Sequence, residues 1–178
     1  MLYRSSAIAT IVMLSASAAV ALSGAVADRQ ASMKAMATAV KTIDSMFKDP
    51  SIYSAEKLKQ AAEMISKNSG TALGSRFPDP VVIDGSFASA EISANRNHFD
   101  LLASDLKSYA DLISAAADKN PQGMSPGMRM KPGEAMGGGP FGVHVEDKAK
   151  LASLPAEHAF HLIIQTCTTC HARFRVTK

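Results

Sequence analysis

Tryptophan is absent, aromatic residues make up only 6% of the chain, and cysteine occurs twice in 178 residues. Two cysteines cannot build a multi-bridge disulfide scaffold. With so few rings, the core must rest on aliphatic, alanine and thioether side chains, and the chain has 10 methionines to supply the last. No alternating strand pattern and no internal repeat occur. Basic residues number 19 against 16 acids, a net charge of +3 without a basic run, so nothing marks a nucleic-acid surface. Nor is there a paired acid and base, a nucleophile beside a base, or a phosphate loop, and we therefore expect no enzyme. With 47% hydrophobic and 20% charged residues, the chain is too apolar for disorder and suits one helical domain.

Arg4 is followed by an uncharged stretch from Ala7 to Leu22 and by Ser23-Gly24-Ala25-Val26-Ala27 before the first acid, Asp28. This is the three-part form of a secretory signal peptide, with Ala25 and Ala27 as the small residues a signal peptidase reads. We expect residues 1–27 to be the leader and 28–178 the exported domain. The apolar run is shorter than the ~20 residues of a spanning helix. No membrane span is expected once the signal is removed.

Beyond the leader, Met33, Met36, Ala37, Val40, Ile43 and Phe47 recur at helical steps up to Asp49-Pro50. Ser54 can cap a second helix whose Leu58, Ala61, Ala62 and Ile65 share a face, ending near Asn68-Ser69-Gly70. Gly74 to Gly85, with Pro78 and Pro80, reads as a loop. Ile92, Asn95, Phe99, Leu102, Leu106, Tyr109, Ile113 and Ala116 then step by three and four, a packing seam along one long helix closed by Asn120-Pro121. Residues 121–142 hold seven of the 11 glycines, four of the eight prolines and Met124, Met128, Met130 and Met136, a composition that excludes a regular element. A last helix, with a break at Pro155, carries Leu151, Leu154, Phe160, Leu162, Ile163 and Ile164 towards the cysteines. The expected fold is all-α, an antiparallel four-helix bundle with a Gly/Pro/Met-rich loop between helices 3 and 4.

The chemistry lies in Cys167-Thr168-Thr169-Cys170-His171. Two cysteines three apart with a histidine directly after the second form the signature of c-type haem attachment. On a helix these positions share one face, so both thiols can form thioethers to one porphyrin while the His171 imidazole binds its iron. A redox dithiol, a zinc site and a plain disulfide compete with this reading. The first wants a preceding strand and the second two more ligands, and the chain offers no strand pattern and no second cysteine pair. The expected cofactor is one haem c per chain. Export agrees, because in bacteria that bond is made outside the cytoplasm, and we expect the periplasm of a Gram-negative bacterium.

A haem motif near the C-terminus of a four-helix pattern resembles the class II c-type cytochromes, the cytochrome c′ and cytochrome c-556 family. Basic Arg175, four residues after His171, fits the resemblance, as does Arg29-Gln30-Ala31-Ser32-Met33-Lys34. So does the stretch from Phe77-Pro78 through Glu91-Ile92 to Phe99, although Ser93 stands where many members have tryptophan. The resemblance implies that Met33, four residues after Arg29, faces the distal side of the haem. In the c-556 branch a methionine there ligates iron and makes a low-spin electron carrier. In the c′ branch the position is apolar and the open sixth site binds nitric oxide or carbon monoxide. We expect Met33 to be the sixth ligand, with Met36 as its nearest rival, and redox proteins as partners of a monomer or homodimer. Arg29 and Arg175 are expected near the haem, paired with its propionates or else solvated. His98, His158 and His161 read as packing or surface residues. The loop from Pro121 to His144 is longer than the family's usual link. Its four thioethers and His144 suit either a soft metal such as Cu(I) or an ordinary loop, and the ordinary loop is expected.

Overall fold

The computed structural model describes residues 6–134, 144–145 and 148–176, with side chains over 24–134, 144–145 and 149–176. Four long helices make the bundle: α1 (Ser6–Lys48), α2 (Ala55–Lys67), α5 (Arg96–Lys119) and α7 (Ala156–Phe174). Three short ones sit in the connections: α3 (Gly70–Gly74), α4 (Glu91–Ala94) and α6 (Lys148–Ala152). Among the described residues there is no strand, only an isolated antiparallel bridge between Ala88 and Arg175, and no helix long and apolar enough to cross a membrane.

Named contacts fix the helix directions. Ser32, about four turns before the end of α1, donates to Asn68 just past α2, at 2.9 Å. Lys59 early in α2 pairs with Asp118 at the end of α5, at 2.7 Å. Phe99 at the start of α5 meets Phe174 at the end of α7, centroids 5.3 Å apart. Phe47 at the end of α1 meets Phe160 at the start of α7, at 5.7 Å. Each neighbouring pair is therefore antiparallel, and the ring closes where α7 returns to α1.

Local chemistry accounts for most boundaries. Ser54 caps α2 by accepting from the Lys57 amide, and Leu58, Ala61, Ala62 and Ile65 are all buried. Gly70 opens α3 with φ +58°, a backbone conformation that favours glycine, and a Cβ there would press on the Lys107 side chain, 3.0 Å from its Cδ. Pro155 precedes α7 and separates it from α6. The seam on α5 is buried from Phe99 to Ile113, but Asn95 interrupts it, leaving Ile92 on α4.

On α1 the buried stripe runs through Val26, Arg29, Ser32, Met36, Ala39, Ile43 and Met46. Ala37, expected on the inner face, is exposed, and Met33 and Val40 are half-buried. The stripe is rotated because it contains two polar residues with buried partners, which a count of apolar positions passes over.

The core divides in two. The larger cluster centres on Ile43, Leu58, Ile65, Tyr109, Ile113 and Ile163. The smaller holds Leu73, Phe77, Val81, Ile92, Phe99, Leu102 and Phe174, where the 75–90 segment folds over the bundle. Met33 packs against both, Cys167 against the larger and Cys170 against the smaller.

The long connection is less irregular than its composition suggests. Pro126–Met128 forms a 3₁₀ turn, and Met128 is buried in the larger cluster. Arg129 donates to the Phe47 carbonyl and pairs with Glu157 at 3.1 Å. Further on, His144 Nδ1 lies 2.7 Å from Asp105 Oδ1, and the Val145 backbone is hydrogen-bonded to Tyr109. Met136 lies outside the described residues.

Candidate haem site

A cavity of about 280 Å³ opens at the smaller cluster. Helix α7 runs unbroken through the cysteine motif to Phe174, which keeps Cys167, Cys170 and His171 on one helical face as their spacing requires. Cys170, His171, Phe174 and Arg175 line the cavity from this side, and Val26, Arg29, Gln30 and Met33 line it from α1. Phe77, Ser86, Phe87 and Ala88 of the 75–90 segment, with Ile92 and Phe99, complete the wall. Five of the six site residues expected from sequence thus meet at one cavity. The sixth, Cys167, sits one turn before Cys170, packed on the larger cluster.

Both cysteines are free thiols. Burial pushes Cys167 up to about 11, and burial together with the neighbouring Cys167 pushes Cys170 up to about 12. Burial and the Arg175 charge hold His171 below the usual imidazole value, which favours the neutral ring with a lone pair available for a metal.

The other candidates fall elsewhere. Met36 is 7% exposed inside the larger cluster and does not line the cavity. His98 packs on the Phe174 ring at 6.1 Å, His158 bonds Glu134 at 3.2 Å, and His161 lies beside Phe160 at 6.0 Å. His144 is engaged by Asp105, while Met128 is buried in the larger cluster and Met124 packs against it. A second cavity, between the end of α5 and α6, contains none of the expected site residues.

Arg29 is only 5% exposed, so it is not a solvated surface arginine. Its Nε donates to Arg76 O at 2.7 Å and its Nη1 to Val81 O at 2.9 Å, with Ser86 Oγ at 3.3 Å. Arg175 is exposed, and its guanidinium lies 5.3 Å from the Phe87 ring centroid. Its own chain segment is tied back to the wall by the bonds Ser89 N to Phe174 O and Val176 N to Phe87 O, both 2.9 Å.

Sequence reasoning missed the wall itself. Phe77 and Phe87 lie in a stretch without periodicity; Phe77 stands out only as the start of the stretch that resembles the family, and Phe87 has no signal beyond flanking the same proline-containing loop.

The residues present fit a haem. The Cys170 thiol and the adjacent neutral imidazole line a cavity walled by four phenylalanines, the free Cys167 thiol lies one turn earlier on the same helix, and the Met33 thioether lines the cavity from α1. Together, fold and site define a four-helix protein of the c-type cytochrome class. A family model for cytochrome c′ matches residues 24–131. The crystal structure of cytochrome c′ from Thermochromatium tepidum is similar over 88% of this chain and 97% of that one, with 18% identity and a TM-score of 0.60. No curated protein matches the sequence. The chain belongs to the cytochrome c′ family, and its cofactor is haem c. The matched stretch ends inside the long connection, so the cysteine motif lies beyond it.

Proposed function

We propose that the protein is an exported electron carrier in which His171 and Met33 are the two axial ligands of a haem bound through Cys167 and Cys170. The observation that carries this reading is the position of Met33. It lines the same cavity as Cys170 and His171 but comes from a different helix, whereas Met36 is turned into the core. When bound, the haem supplies one-electron exchange between Fe(III) and Fe(II). The protein's part is to keep both ligands fixed, so that geometry changes little between oxidation states. α7 fixes His171, and Met33 is braced by both core clusters. The phenyl rings of the wall give the cavity an apolar lining.

The leader over residues 1–27, removal after Ala27, a periplasmic address and redox proteins as partners belong to the same proposal. A second reading draws on the same residue. Met33 is packed against both clusters, a role that needs no iron, and the cavity beside it has free volume. If Met33 only packs, the protein is a high-spin gas-binding module for nitric oxide or carbon monoxide. Absorption spectra of the purified protein separate the two, because a sulfur ligand gives a low-spin spectrum and an open site a high-spin one.

A further inference from the structure

We infer that Arg29 is a positioning residue that folds the 76–86 segment into the cavity wall. The inference rests on the haem reading above. A buried guanidinium needs its donors satisfied, and here Arg76 O, Val81 O and Ser86 Oγ, spread over ten residues, converge on one side chain. The Phe77 ring lies against the same group, its centroid 4.5 Å away. Among the described residues no carboxylate pairs with Arg29, so carbonyl dipoles balance its charge. The segment it gathers has no helix or strand to order it, yet it supplies Phe77, Ser86 and Phe87 to the cavity.

A forked bond to a carboxylate uses donors on two guanidinium nitrogens. With Nε and Nη1 committed to the segment, Nη2 alone remains for a partner in the cavity, and a forked bond through Nε would release the wall. Arg29 also lies one turn before Met33 on α1, so it ties that turn to the phenyl wall. If the chain is cleaved after Ala27, Arg29 stands in the first turn of the exported helix. Helix ends fray there, and the three bonds would hold Met33 in register.

The test uses the haem-loaded protein and two readouts, amide hydrogen exchange over 76–88 and the rate of carbon monoxide uptake by the ferrous form. Arg29→Gln should speed both by about tenfold, the scale expected for losing hydrogen bonds from a charged group. Arg29→Lys keeps the charge but lacks the planar spread of donors, and should resemble Arg29→Gln. Ser86→Ala, a milder change, should shift both readouts in the same direction. Wild-type exchange over 76–88 in Arg29→Gln, or full rescue by Arg29→Lys, would overturn the inference. Haem content from the mass of each variant keeps the outcomes apart. Loss of covalent haem in the wild type would strike the proposed function, while the exchange over 76–88 reports on Arg29 alone.

Discussion

Met33 and Met36 are three residues apart on one helix and face different surroundings, one a cavity and the other the packed core. Met33→Ala should remove a strong-field ligand and turn the iron high-spin, with quick carbon monoxide uptake and little loss of helix, since alanine is the better helix former. Met36→Ala should leave the spectrum alone and cost about 2–5 kcal/mol of stability, as core truncations of this size do. Spectra and denaturant melts of both variants check the pair. His144 makes a different prediction. Burial raises Asp105 above its ordinary 3.8, while its bond to His144 and the charge of His98 pull it down. The folded state therefore holds the Asp105 proton to higher pH than the unfolded chain does, and stability falls as pH rises from 3.8 through the raised value. Tyr109, itself pushed up to about 12 by burial and the Asp105 charge, offers no compensating positive charge. His144→Ala should deepen that fall. Melts should show the variant about 1–3 kcal/mol below wild type at neutral pH, the cost of stranding a buried acceptor, with the gap narrowing in acid. An equal gap at both pH values would mean that the His144–Asp105 contact is not electrostatic.

Elements set by short-range chemistry were legible in the sequence. The Ser54 cap, the Leu58-to-Ile65 face, the α5 seam and the break at Pro155 follow from steps of three and four and from the backbone limits of proline and glycine. The cysteine motif was legible for the same reason, because its geometry is internal to one helix. The wall was not, because nothing in 75–90 is periodic and its order comes from Arg29 on α1 and from Arg96, which donates to Phe77 O. The polar members of the α1 stripe were hidden likewise, since Arg29 and Ser32 are buried by partners 36 to 57 residues away. In the long connection, composition signalled a loop without regular elements, but Pro126–Met128 forms a turn, and Arg129, Met128 and Glu157 pin its first part to the bundle.

At the scale of the molecule, the haem cavity sits against the smaller of two core clusters; Met33 bridges the two, with Cys167 on the larger and Cys170 on the smaller. Held by thioethers, a haem there would stay on the chain when it unfolds, so it would stabilise the folded state through the apolar surface it buries and the ligand contacts it makes only there. A Cys167→Ser, Cys170→Ser protein should melt at lower temperature, with hydrogen exchange rising first over 75–90 and the end of α7, while the α2 and α5 core stays protected. Uniform loosening, or unchanged stability, would show that the haem does not complete the smaller cluster. The central claim is that one chain supplies both axial ligands across this cavity, His171 from α7 and Met33 from α1. Absorption spectra of the purified, haem-loaded protein in the ferric and ferrous states test it most directly. The account predicts low-spin spectra in both states, with the weak far-red band of sulfur ligation in the ferric form and slow carbon monoxide uptake in the ferrous form. A high-spin ferric spectrum that lacks that band would contradict it and leave the sixth position open.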